Sequence, residues 1–446
     1  MKRRKVRDRI ATAAVAVLFV CLCLLTAALI YVIRLASGQR TAFDLTAVTA
    51  DRSEAATDIS DCLLPGFAGV TAGGMRLGLV GSKNAMNELC DTLYPILAEA
   101  LISGSPAPGT EEDWAEFAQA ESSVYLRWHS ELPDALIAMF ASGGEDSGAD
   151  LPESYQSEVF FLPYRRGENA VRTAFRSADG TVRIARVSMP KAILSEEDLT
   201  LFMRTFRGVM GAFAFRGEGA SLQPVLTERI GAPCILMTEN TASFILESGT
   251  EKTAVLSLFG LSPDKLLSSR LESDGGTSFV ETRGEVYVGQ TTVAYRSTSE
   301  NSIGLLSLVG YADNVGTAEY IQASLRLFSG IRETNRWLAG GDAELLLTAA
   351  YASGNEVRLS FAYVYDNIRI DAGRPAFTVS FENGRVREAE LYTLAVQNVG
   401  SRGQVMNGSW FFRWRESKRG LPSRIDLVYP ADYVSESIVP QWAAAD

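Results

Sequence analysis

The chain has 446 residues, 47% hydrophobic and 9% aromatic, with a net charge of −11. That length is too great for one core, and that composition excludes wholesale disorder. Residues 1–9 hold six basic side chains and one acid, so the remainder carries −16. Such a balance argues against nucleic acid as a partner of this remainder, and against its lying on anionic lipid.

Ile10–Ile33 runs for 24 residues without a charge. As a helix it spans roughly 36 Å, enough to cross a hydrocarbon core of about 30 Å with some tilt. The basic tail precedes it, and only Arg34 and Arg40 follow before Asp44. The positive-inside rule then places the N-terminus in the cytoplasm and the rest outside the cell membrane. A cleaved signal has an apolar region of about 7–15 residues and a small-x-small site. This run is longer, and Tyr31-Val-Ile-Arg34 closes it without such a site. We therefore expect an uncleaved signal anchor over 10–34. Ala11, Ala13, Ala14, Ala16, Thr26, Ala27 and Ala28 would let a second helix approach closely, Ala13, Ala16, Thr26 and Ala27 being the contact candidates. Equally, alanines simply fill a spanning helix.

Residues 35–61 read as a stalk with a helix extension. Met75–Val80 reads as a strand, and Asn84–Ser103 as a helix with Pro95 as a kink. Thr110-Glu-Glu-Asp113 caps a helix carrying Trp114 and Phe117. Ser123–Trp128 is a strand, and Leu132-Pro133 leads into a helix through Phe140. Glu158–Leu162, Val171–Arg176 and Val182–Val187 follow as antiparallel strands, with Asp179-Gly180 as a hairpin turn. Ser195-Glu-Glu-Asp198 caps a helix over Leu199–Val209, and Ser262-Pro263 starts a shorter one. Phe279–Val280, Val286–Val288 and Thr292–Tyr295 continue the sheet.

Thr317–Ser329 has Ile321, Leu325 and Phe328 on one helical face, with Gly330 expected at its end. Leu345–Ala352, Val357–Tyr365, Ile368–Ile370, Phe377–Phe381 and Val386–Leu394 then form a meander. Val357, Leu359, Phe361, Tyr363 and Tyr365 alternate strictly, as do Phe377, Val379 and Phe381, so one face covers a helix. Trp410–Trp414 and Ile425–Tyr429 are expected as late strands. The fold class is α+β, helices packed on antiparallel sheets. The division is a cytoplasmic tail 1–9, a transmembrane helix 10–34, and external regions 35–192, 193–312 and 313–446.

Motifs for chemistry are sparse. The single histidine, His129, has no GxSxG elbow or reactive-cysteine signature to partner it, and reads as a surface or capping residue. One histidine without clustered cysteines makes zinc catalysis improbable. Gly217-Glu-Gly219 lacks the spacing of a phosphate loop. Glu111–Glu112 and Glu196–Glu197 sit in first helical turns, where the helix dipole explains them. Asn407-Gly-Ser409 reads as a turn. An oxidising compartment would permit a Cys62–Cys90 disulfide, while buried thiols are the plainer reading. We expect no catalytic residues, no cofactor and no metal.

Several stretches resemble the YycH/YycI family of membrane-anchored regulators. They are Tyr125–Phe140, Leu258-Phe-Gly260 with 272–281 and 286–288, Phe361–Ile370, and the ending Val439-Pro-Gln-Trp442. Asp366-Asn367 stands where that family more usually has Asn-Gly, and Arg369 where it has proline. The resemblance implies a distant, non-enzymatic member. It would associate with a WalK-type sensor histidine kinase of a Gram-positive two-component system, either alone or with a second family member, through its membrane helix and external domains. Rival readings are an anchored module for a small ligand or wall fragment, and a cell-wall enzyme. A deep apolar pocket would mark the first, and a cleft of carboxylates with raised pKa the second.

Overall fold

A computed structural model describes residues 59–141, 154–164, 169–188, 194–217, 222–228, 234–240, 249–298, 302–309, 316–334, 341–403, 407–419, 424–431 and 437–445, with 242, 245 and 405. The apolar run 10–33, with Ala13, Ala16, Thr26 and Ala27, lies outside these residues, as does the expected stalk up to 58. Among the described residues no helix is long and apolar enough to cross a membrane.

The chain folds as α+β, with antiparallel sheets. β1 (Phe67–Ala72) and β2 (Met75–Leu79) form a hairpin turned by Gly73 and Gly74, both at positive φ. α1 (Lys83–Ile102) carries Pro95 within it. β3 (Ala107–Pro108) precedes α2 (Glu111–Gln119), which opens with the expected capping box of Thr110 and Asp113. β4 (Ser123–Pro133) runs directly into α3 (Asp134–Ala141). β5 (Tyr155–Leu162), β6 (Ala170–Arg176) and β7 (Val182–Ser188) continue antiparallel, with Gly180 at positive φ in the β6–β7 turn. α4 (Glu196–Thr205) has the second expected capping box, Ser195 with Asp198. It ends before the expected Val209, because Phe206–Val209 closes a turn into β8 (Met210–Arg216).

With β9 (Gln223–Leu226), these strands make one nine-stranded sheet in the order β3-β7-β6-β5-β4-β1-β2-β8-β9. β8 and β9 thus complete a sheet begun before residue 192. Aromatic packing fills its covered face. Trp114 of α2 meets Phe160 edge-on at 4.7 Å, and Tyr125 lies 4.9 Å from the same ring.

Beyond it come β10 (Cys234–Asn240), α5 (Gly249–Leu258), β11 (Ser268–Leu271), β12 (Thr277–Glu281), β13 (Gly284–Val288) and β14 (Thr292–Ser297). Ser262-Pro263 opens only a 3-10 turn, Pro263–Lys265. α6 (Leu305–Val309) precedes α7 (Thr317–Thr334). Gly330 does not end α7. It lies inside, where a Cβ would come within 2.6 Å of Leu258 Cδ1, so its smallness admits α5.

β15 (Glu344–Ser353), β16 (Glu356–Tyr365), β17 (Ile368–Asp371), β18 (Phe377–Glu382) and β19 (Arg385–Tyr392) form the meander. The strand expected over Val386–Leu394 breaks at Thr393, and β20 (Leu394–Arg402) leaves for another sheet. α8 (Gly408–Arg419), β21 (Arg424–Pro430), β22 (Ser437–Ile438) and β23 (Gln441–Ala445) end the chain. Eleven strands, β11–β19 with β21 and β23, make the large sheet, and β20-β10-β22 a small one. The β17–β21 pairing is parallel.

The expected apolar face is observed: Phe361, Phe377 and Phe381 are fully buried beneath α7, with Phe328 6.2 Å from Phe377 and Tyr320 5.0 Å from Phe381. Trp410–Trp414 is a correction. It lies in α8, not in a strand, because Gly408, Phe412 and Arg415 are buried at helical spacing. One apolar core runs from Cys62 to Ala431 through both large sheets.

Candidate functional site

The large sheet meets the nine-stranded sheet where β4 lies against β21. Arg127 points out of an otherwise apolar stretch of β4 and is almost wholly buried. Its Nη2 donates to the Ile425 carbonyl at 2.7 Å and to Asp426 Oδ1 at 3.0 Å. Arg424 answers from β21: Nε donates to Asp426 Oδ2 at 2.6 Å, and Nη2 to the Trp128 carbonyl at 2.7 Å. Burial alone would raise the Asp426 pKa, but Arg424 and Arg127 hold the carboxyl well below the usual carboxylate range. The two strands are therefore cross-linked in both directions by charge-assisted bonds.

His129 belongs to this junction, which corrects its reading as a surface or capping residue. It is 9% exposed, and its ring packs on Gly66, where a Cβ would stand 2.5 Å from Cε1 and Nε2. Burial pushes its pKa down to about 3, with Arg424, Arg369 and Arg127 adding to the effect and Asp426 opposing it. The ring is neutral near pH 7. Neither ring nitrogen has a hydrogen-bond partner among the described residues.

A second tie crosses nearby. Ser82, ahead of α1, has φ 57 and gives no side-chain cap. Asp366, from the β16–β17 turn, supplies it, its Oδ1 accepting from the Lys83 backbone N–H at 2.8 Å. The Lys83 ammonium reaches Asp61 at 2.8 Å and Glu344 at 2.7 Å. Burial works against that charge, yet the two carboxylates raise the Lys83 pKa overall. Asn367 is buried, and its Nδ2 donates to the Pro65 carbonyl at 2.6 Å. Asp366 and Asn367 both hold positive φ, the geometry for which hairpins favour glycine. Their side chains are used in these ties, bonds that a glycine at either position could not make.

The outer face of the large sheet, opposite α7, carries an open hollow of about 740 Å³ lined by Arg270, Asp274, Tyr287, Arg296, Arg358 and Glu388 among others. Its three arginines pair with neighbouring carboxylates. Arg270 pairs with Glu272 at 2.9 Å, Arg296 with Glu388 at 3.0 Å, and Arg358 with Glu356. The Tyr287 hydroxyl donates to Asp274, and the desolvated phenol is pushed up to about 12. These groups present a patterned polar surface.

Among the described residues no cluster of three or more His, Cys, Asp or Glu could hold a metal ion. Cys62 and Cys90 are both buried, and burial pushes the Cys90 thiol up to about 12. The sequence pointed to neither Arg127–Asp426 nor Lys83–Asp366. The available signal was a lone charge inside an apolar strand, Arg127 in Tyr-Leu-Arg-Trp and Asp426 in Ile-Asp-Leu-Val.

No protein-family model matches this chain, and no curated protein does. Among solved structures, it is similar to an uncharacterized protein from Eubacterium rectale at 9% identity and a TM-score of 0.32, over 47% of this chain and 76% of that one.

Proposed function

We propose that this chain is a non-enzymatic, membrane-anchored regulator acting outside the cytoplasm on a sensor histidine kinase of the WalK type. In this reading Ile10–Ile33 spans the cell membrane, and residues 35–446 face the partner's external domain. The observation that carries it is the junction. Stretches that resemble the YycH/YycI family, Tyr125–Phe140, Phe361–Ile370 and the ending near Trp442, all converge there. Arg127 ties the first of them to β21, on which the ending pairs, while Asp366 and Asn367 tie the second to Lys83 and Pro65. Such bracing suits a body that transmits a contact without deforming. The paired charges of the outer hollow suit a protein surface better than a reacting group.

In this reading an effect on kinase output passes through the partner's own membrane segment or its external domain. A regulator of this kind binds two kinase states with different affinity. A shared membrane raises effective concentration, so weak contacts suffice. The test compares kinase output in strains carrying the native chain, residues 35–446 exported without the anchor, and the full chain with an unrelated spanning helix. Regulation should fall sharply in the second and partly in the third. Unchanged output on deleting the gene altogether would overturn the reading.

A further inference from the structure

α8 presents a stripe that the regulator reading does not use. Trp410, Arg413, Trp414, Ser417 and Lys418 are all exposed and recur at the i, i+3, i+4, i+7 and i+8 spacing of one helical face. Trp410 and Trp414 are 55% and 45% exposed, with ring planes 7° apart and centroids 6.5 Å apart. The opposite face is anchored: Phe412 packs with Val225 and Ile425 in a small apolar cluster of its own. The helix is therefore a fixed platform whose aromatic pair stays about half exposed, with the Phe411 ring 5.8 Å from Trp414 beneath it.

Charge decides what covers it. The chain as a whole is strongly acidic. On the exposed residues of α8 the sign reverses, with Arg413, Lys418 and Arg419 against Glu416. Trp beside Arg and Lys suits a shallow contact with a bilayer interface, where indoles sit at headgroup depth and cations meet anionic lipid. A lipid surface is also within reach. Residues 34–58 separate the apolar run from the first described residue and extend at most about 90 Å. An attachment of that length keeps a weak contact populated.

We infer that the Trp410–Lys418 face of α8 docks on an anionic lipid surface, laying the C-terminal end of the domain against the membrane. The proposal rests on the membrane-anchored reading. It makes α8 a local exception to the acidic charge that argues against lipid for the rest of the domain.

The test uses the full chain reconstituted in brominated phosphatidylcholine vesicles, with and without phosphatidylglycerol. Alkaline extraction first shows whether the chain is embedded, which tests the anchor separately. Tryptophan quenching then reports on α8, with the Trp410→Phe/Trp414→Phe double variant as background. The expected result is quenching above that background that rises roughly twofold or more with phosphatidylglycerol. The rise should disappear in Arg413→Gln/Lys418→Gln/Arg419→Gln. These positions are exposed, so an unchanged melting temperature keeps the comparison valid. Equal quenching in the two lipids, or none above background, overturns the proposal. So does shielding that grows with protein concentration instead of lipid charge, which would assign the face to a second copy of the chain.

Discussion

Arg127 and Asp426 lie 299 residues apart in the chain and 3.0 Å apart in the fold. Both are largely buried, so neither can lose its partner cheaply. Removing one member of a buried pair costs roughly 3–5 kcal/mol, because the other is left uncompensated. Asp426→Ala strands both Arg127 and Arg424, and should cost that much in urea unfolding. Arg127→Met should cost less, since Arg424 Nε still reaches Asp426 at 2.6 Å. Equal costs for the two variants would show that Arg424 does not brace the carboxylate. Because the folded Asp426 pKa is depressed, its stabilisation is complete above about pH 4 and is lost as pH falls further.

His129 gives a pH dependence of its own, in a different window. It is the chain's one histidine, and burial pushes its pKa down to about 3. Between about pH 6.5 and 3 the unfolded chain binds a proton that the folded chain refuses, so stability falls as pH falls. From pH 7 to pH 5.5 the loss should be about 1 kcal/mol, before most carboxylates titrate. His129→Gln should remove that loss, whatever it does to stability at pH 7. Urea midpoints at the two pH values decide it; an undiminished fall in the variant would mean that the ring is solvated.

What could be read from the chain was local. Thr110 with Asp113 and Ser195 with Asp198 cap their helices as read, because a capping box is complete within four residues. The alternation of Val357–Tyr365 placed the right face inward, because strand periodicity survives any topology. Trp410–Trp414 misled, since five bulky residues fit either period until the burial of Phe412 and Arg415 selects the helix. The return of β8 to the first sheet and the Arg127–Asp426 contact depend on partners far along the chain. No local signal specifies them. Of the site residues, the sequence singles out His129 and Asp366-Asn367, and the burial of His129 is not legible because Gly66 and Asp426 make its environment.

The core beneath α7 carries the plainest stability prediction. Phe361 and Phe381 are fully buried, and Phe361 stacks on Phe377 at 6.0 Å. Truncating either to Ala removes apolar contact and leaves a cavity, at a cost of roughly 3–5 kcal/mol. Ser360, on the opposite face, is only partly buried. Ser360→Ala should change stability by less than about 1 kcal/mol. A reversal of these two costs would put the strand one residue out of register.

The β16–β17 turn yields a prediction with an unexpected sign. Asn367 holds φ 63 after Asp366 at φ 48. By hairpin rules alone, Asn367→Gly should stabilise, since glycine adopts positive φ without steric cost. Here the Asn367 amide donates to the Pro65 carbonyl at 2.6 Å in a buried setting. Removing it leaves that carbonyl unsatisfied, which costs about 1–3 kcal/mol and outweighs the turn's gain of roughly 0.5–1 kcal/mol. Asn367→Gly should therefore destabilise the folded chain. Asp366→Ala should also destabilise it, by about 1 kcal/mol, since it uncaps α1 at Lys83. An isolated peptide of 356–371 should show the opposite response, with glycine favouring the hairpin because Pro65 is absent. Chemical denaturation of the protein and hairpin population in the peptide together separate the two terms. If glycine stabilises both, the Asn367–Pro65 bond contributes nothing and the turn is governed by its own backbone.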